Sequence, residues 1–262
     1  MDQQYTILLI EDDPTAAMLA RRLLEKASTK FNVIQAGTLA AGLKRLAQGG
    51  IDLSLVDLGL PDSKGLDTLI GVLHQNPEVP AVVLTGSEED EHVLQAVQHG
   101  AQDYLVKGQF DGKTLVRSLR YALARHQAEQ TLKQERDLAE VIFQVIGSAV
   151  MVLDPQGHIL RFNRAWEEAT GYTAEDIWDQ NFWALLFPPE DQEVMKKLFE
   201  EIRGQAKSKV FINSWNTKSG QPLLMRWSGA TLTDHRGQLF YVVVVGDEIP
   251  NGGRISLARA TS

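Results

Sequence analysis

Short apolar runs alternate with amphipathic stretches over residues 1–125, and that alternation restricts the fold more than any other property of the chain. Tyr5 to Ile10 is a β-rich run ending in Glu11, Asp12 and Asp13, and Pro14 then opens a segment with Ala16, Leu19, Ala20, Leu23 and Leu24 at helical spacing. The pattern recurs as Phe31–Ala36 then Leu39–Leu46, Leu53–Asp57 then Leu66–Leu73, and Ala81–Thr85 then Val93–Val97. Asp103–Lys107 follows, then a helix that begins near Lys113. Alternating strands and helices imply right-handed crossovers, hence an α/β domain whose parallel sheet is covered on both faces. In such sheets ligands bind beyond the carboxyl ends of the strands.

Those ends carry a specific set of groups. The run Leu53 to Asp57, followed at once by Gly59 and Pro61, reads as a buried strand delivering Asp57 to the rim of the sheet. Taken alone, Asp57 reads more readily as a cap for the next turn, and the other strand ends reverse that preference. Glu11 and Asp12 follow the first strand, Thr85 closes the fourth and Lys107 the fifth. Three carboxylates brought together repel unless a cation sits among them, and hard oxygen donors favour Mg²⁺. A lysine beside that cation neutralises charge on a transferred phosphoryl group and a hydroxyl bonds one of its oxygens, as phosphoryl transfer to a carboxylate requires.

With these residues in place, residues 4 to about 125 resemble the receiver domain of bacterial two-component response regulators. The resemblance implies a flavodoxin-like doubly wound five-stranded sheet in the order 2-1-3-4-5. It implies Glu11 and Asp12 as the acidic pair, Asp57 as phosphoacceptor, Gly59 as a carbonyl completing the metal shell, Thr85 as the switch hydroxyl and Lys107 as the lysine of the site. Asp13 falls one place beyond the pair and is expected to cap a helix or to be a solvated charge. Tyr104 matches the aromatic whose rotamer reports phosphorylation, with a core tyrosine as the other reading. Gly59 and Ser87 stand where side chains influence the attacking water. Receivers usually carry a cis proline after the lysine, whereas Gly108 stands here, so a trans bond and a freer loop are expected.

The remaining properties narrow the setting. A net charge of −8 disfavours a nucleic-acid surface, and the absence of cysteine excludes disulfides, thiolate metal sites and thiol chemistry. The longest apolar run near the start, Ile7 to Ile10, is too short for a signal peptide or a membrane span, so a cytoplasmic protein is expected.

From Lys113 to about Ile146 no Pro or Gly interrupts a helix-forming composition, giving a helix on the order of 50 Å long if continuous. Leu115, Leu119, Ala122 and Leu123 should pack on the receiver. Beyond them the helix reads as a solvated connector or as a weak parallel dimer seam resuming through Ala139, Ile142 and Ile146. Then come a hairpin (Ala149–Leu153, His158–Phe162), a helix capped by Asn163 and ended at Gly171, a short turn at Thr173, a helix from Glu190 to Arg203, and strands Lys209–Trp215, Pro222–Leu232 and Gln238–Asp247. This is an α+β layout with one antiparallel sheet.

That layout resembles a PAS sensor domain, carried by Gly157 to Asn163, Gly171-Tyr172, Asn181-Phe182-Trp183 before Pro188-Pro189, and Asp234 to Gly237 ahead of Tyr241 to Gly246. PAS domains cradle small ligands or dimerise. Without cysteine no flavin–thiol adduct forms, and His158 and His235 sit at turns where solvated histidine is the commoner outcome. Trp166, Trp178, Trp183, Trp215 and Trp227 line a pocket or pack a core; packing is the commoner use.

The expected organisation is a receiver at 1–125, a helical linker at 126–137, a PAS domain at 138–249 and a disordered tail at 250–262. The implied function is phosphorylation-controlled signalling: Asp57 takes a phosphoryl group from a histidine kinase or phosphotransfer protein with Mg²⁺, and the PAS domain binds a ligand, or none, or forms a homodimer. Nothing resembles an output enzyme or a nucleic-acid- or membrane-binding module; contact with a partner is the expected output if the sequence is the whole protein, and an effector is expected after the PAS domain if it is a part. The alternative is a phosphorylation-independent adaptor in which both domains serve only protein contacts.

Overall fold

The computed structural model describes residues 4–27, 30–86, 95–177, 180–203 and 210–250. Ser87, Trp178, Lys209, the start of the helix expected at Val93 and the tail from Asn251 lie outside them. The chain divides into two compact units, Met1–Gln134 and Glu135–Ser262.

In the first unit β1 (Gln4–Ile10), β2 (Lys30–Ala36), β3 (Leu53–Asp57), β6 (Ala81–Thr85) and β7 (Asp103–Val106) form a sheet in the order β2-β1-β3-β6-β7. Every pairing is parallel, with Ile10 beside Val56, Asp57 beside Leu84 and Thr85 beside Val106. A two-residue hairpin, β4 (Gly59–Leu60) and β5 (Ser63–Lys64), follows β3. The helices are α1 (Pro14–Glu25), α2 (Leu39–Leu46), α3 (Leu66–Gln75), residues 95–98 (α4) and α5 (Gly112–Val145).

Strand side chains alternate between two cores. Leu8, Ile10, Val56 and Val83 bury against one layer, and Ile7, Leu9, Leu53, Leu55, Val82 and Leu84 against the other. Leu115, Leu119 and Ala122 of α5 are buried in the second layer, as their spacing predicts. Both faces being covered explains why β3 and β6 read as continuous apolar runs rather than alternating ones.

In the second unit β8 (Ala149–Leu153), β9 (Ile159–Phe162), β10 (Val210–Asn216), β11 (Pro222–Thr233) and β12 (Leu239–Glu248) form one sheet in the order β10-β11-β12-β8-β9, every pairing antiparallel. Among the described residues it is accompanied by α6 (Arg164–Thr170), α7 (Ala174–Ile177), α8 (Phe182–Leu186) and α9 (Pro189–Arg203). Trp166, Phe182, Leu186, Met195, Phe199, Trp215 and Trp227 share its core, so three of the tryptophans serve packing.

Buried Asn163 ties this unit together. Its Oδ1 accepts from Val150 N at 2.9 Å and from Trp166 N at 3.0 Å, and its Nδ2 donates to Ser148 O at 2.9 Å. One side chain thereby caps α6 and fixes the start of β8. Gly171 ends α6 with φ 76°, the left-handed value that favours glycine. His158 Nδ1 meets Asp154 Oδ2 at 2.8 Å across the hairpin turn.

Candidate functional site

The carboxyl end of the parallel sheet brings the expected residues together. Glu11 and Asp12 follow β1, Asp57 and Thr85 end β3 and β6, and Lys107 follows β7. One carboxylate oxygen from each of Glu11, Asp12 and Asp57 falls within 4.8 Å of the others, Glu11 and Asp57 being buried and Asp12 exposed. Lys107 Nζ stands 2.7 Å from Glu11 Oε2 and 2.8 Å from Asp57 Oδ2.

Burial pushes the Glu11 carboxyl above the usual carboxylate range, with Lys107 opposing and the Asp57 charge reinforcing that rise. For Lys107 burial works against the charged form. Its bonds to Asp57 and Glu11 outweigh that effect, and its affinity for the proton rises above that of a free lysine. The lysine is therefore a fixed cation among acids. An all-oxygen donor set with one solvent-facing member fits a hard divalent cation that keeps part of its water shell.

Local structure positions each group. Asp13 caps α1, its side chain accepting from Thr15 N at 2.9 Å, so it belongs to the helix and leaves Glu11 and Asp12 to the cluster. Lys107 N donates to Thr85 O at 2.8 Å, locking the lysine beside the buried threonine. Gly59 N donates to Asp57 Oδ1 at 3.1 Å. A Cβ at position 59 would stand 3.8 Å from both Asp57 oxygens, in ordinary contact. The Lys107–Gly108 bond is trans, as the glycine predicts, and Gly108 has φ 82°, a value closed to proline. Tyr104 is on the surface, with 38% of its area exposed.

Two supporting contacts escaped the sequence. Asp62, in the β4–β5 turn, accepts from Leu39 N at 2.8 Å and Ala40 N at 2.9 Å, joining the loop after Asp57 to the start of α2. Those hydrogen bonds hold its carboxyl below the usual range. Thr68, fully buried, donates to Ser63 Oγ at 2.8 Å and anchors the other side of that loop. The Pro-Asp-Ser turn composition was visible, but a cap reaching across 23 residues leaves no local mark.

A doubly wound parallel sheet with an acidic pocket and a fixed lysine at its carboxyl edge is the arrangement of a receiver-type signalling domain. The chain carries a response regulator receiver domain over residues 7–120, followed by a PAS domain over residues 147–249. It is 38% identical over 122 residues to the KDP operon transcriptional regulatory protein KdpE of Escherichia coli, covering 47% of this chain and 52% of KdpE. It is 37% identical over 101 residues to the swarming motility regulation protein RssB of Serratia marcescens, covering 38% and 45%. With the regulatory protein LuxO of Vibrio cholerae the identity is 34% over 99 residues, covering 38% and 21%. The chain thus spans between about a fifth and about half the length of these relatives, 21% to 52%. No helix among the described residues is long and apolar enough to cross a membrane.

Proposed function

We propose that the chain is a phosphorylation-controlled signalling protein whose receiver takes a phosphoryl group on Asp57 from a histidine kinase or phosphotransfer protein. The observation that carries this reading is the convergence of Glu11, Asp12 and Asp57 within 4.8 Å, bridged by Lys107. A carboxylate oxygen of Asp57 attacks phosphorus, the bond from phosphorus to the donor nitrogen breaks, and the nitrogen keeps the electron pair. Glu11, Asp12, Asp57 and the Gly59 carbonyl would hold Mg²⁺, which when bound offsets negative charge on the phosphoryl oxygens. Lys107 supplies a second fixed charge, and the Thr85 hydroxyl bonds a phosphoryl oxygen. Drawing Thr85 inward leaves room for Tyr104 to turn in from the surface, which alters the face built by α4, β7 and α5.

In the second unit the apolar side chains left exposed on the last turns of α5 support self-association as the PAS domain's role. A small ligand is the second reading, favoured by the Trp166 and Trp215 indole N–H groups, which are buried without a hydrogen-bond partner. Such donors suit a ligand bearing carbonyl or ring-nitrogen acceptors. Native mass spectrometry of freshly purified protein separates the readings through a bound small molecule.

Intact mass after incubation with acetyl phosphate and Mg²⁺ tests the phosphoryl transfer. The wild type gains one phosphoryl group, and the gain disappears in Asp57→Asn and in excess chelator. Full labelling of Asp57→Asn contradicts the assignment.

A further inference from the structure

The first unit carries a groove of about 1010 Å³ between the end of α1 and the first half of α5. Partly buried Leu23, Val116 and Leu123 give it an apolar lining. Exposed Lys26, Lys30, Lys113, Arg117 and Arg120 surround them, and none of the five forms an ion pair among the described residues. Asp111 is the one carboxylate lining the groove among the described residues. In a chain of net charge −8, five cations against the single carboxylate of Asp111, which lies near enough to Lys113 to feel its charge, are a concentrated departure from the average surface. Tyr5 and Lys30 stand at the amino ends of β1 and β2 and also line the groove, so it lies toward the end of the sheet opposite Asp57. A phosphoryl donor seated at Asp57 leaves it uncovered.

The second unit holds a surface of the complementary kind. Leu138, Val141, Ile142 and Val145 are 60%, 57%, 49% and 74% exposed. Their spacing of three, four and seven places them on one face of α5. At about 100° per residue, Glu135 and Asp137 flank that face on opposite sides. Neither forms an ion pair among the described residues.

We propose that the α1–α5 groove is the seat for residues 138–145 of a second copy of this chain, an apolar helix face entering an apolar cleft between its own acids and the groove's cations. The inference rests on the self-association reading above and names its surfaces. Charge decides between this contact and pairing of the two apolar faces with each other. Face-to-face pairing of parallel helices sets Glu135 of each copy beside Asp137 of the other and leaves the five cations uncovered. Seating in the groove places opposite charges together, which favours both encounter and register. Two such contacts related by a two-fold axis close a dimer.

The test uses the full chain and sedimentation equilibrium, with circular dichroism to verify folding of each exposed-site variant. The wild type is dimeric. The groove double variant Arg117→Glu/Arg120→Glu and the acid double variant Glu135→Lys/Asp137→Lys each dissociate at least about tenfold more readily. The four changes combined, which exchange the signs, return association toward that of the wild type. A groove variant that dimerises like the wild type, or a combined variant no better than either double variant, overturns the groove contact and leaves self-association standing. A monomeric wild type overturns both.

Discussion

Lys107 Nζ lies 2.8 Å from Asp57 Oδ2 although 50 residues separate them in the chain. The pair exists because β3 and β7 end at the same edge of the sheet, with β6 between them. Replacing Lys107 by Gln leaves Glu11 and Asp57, both buried, without a counter-charge. We expect the variant to lose about 1–3 kcal/mol of stability in chelator, the range for stranding buried polar groups. Added Mg²⁺ should narrow the gap, because the cation replaces the missing charge. Urea unfolding with and without Mg²⁺ measures both; equal stability of the two proteins in chelator contradicts the role.

Position 59 should set the lifetime of the phosphorylated state. A side chain there starts 3.8 Å from both Asp57 oxygens and is tolerated by the backbone, so it will either align or block the attacking water. Decay of the acyl phosphate in Gly59→Asn and Gly59→Arg should differ from wild type by roughly an order of magnitude in at least one variant. Equal decay in all three removes this residue from the mechanism.

Most of the receiver could be read from the chain because each strand is a short apolar run ending in a chemically distinct residue. Leu53–Asp57 and Ala81–Thr85 match the structure to the residue, and the order β2-β1-β3-β6-β7 follows the resemblance. The supports around the site were not legible. Asp62 and Thr68 act through contacts set by loop geometry rather than by periodicity. Along the late part of α5, Ala139, Ile142 and Ile146 were the expected stripe. Ile142 and Ile146 are exposed, at 49% and 43%, and Leu138, Val141 and Val145, which that stripe did not include, widen the bare strip. How wide a strip of a long helix is left bare depends on what its other side packs against, and spacing alone does not carry that.

Asn163 should be among the most sensitive positions of the second unit. Asn163→Ala removes a helix cap and strands the Val150 and Trp166 amides inside the core. The expected loss is about 2–4 kcal/mol. Urea unfolding followed by tryptophan fluorescence reads it, and a loss below about 1 kcal/mol contradicts the account.

Asp176 provides a pH test. Bonds from Lys218 Nζ, Thr173 N and Thr173 Oγ1 lower its carboxyl to about 2 from an ordinary 3.8. A folded-state value below the unfolded one means that its stabilising contribution is full above about pH 3.8 and is lost as the pH falls toward 2. Carbon-detected NMR titration should place this carboxyl among the lowest in the protein, and Lys218→Gln should raise it. An unchanged midpoint in that variant shows that the lysine is not the main cause.

The central claim is that Asp57 is the phosphoacceptor, and chemical trapping tests it most directly. Borohydride reduces an acyl phosphate of aspartate to homoserine, so protein treated with acetyl phosphate and Mg²⁺, reduced and digested should contain homoserine at position 57. The account predicts that residue there and unmodified Asp12 and Asp13. Homoserine at Asp12 or Asp13, with Asp57 intact, would contradict it.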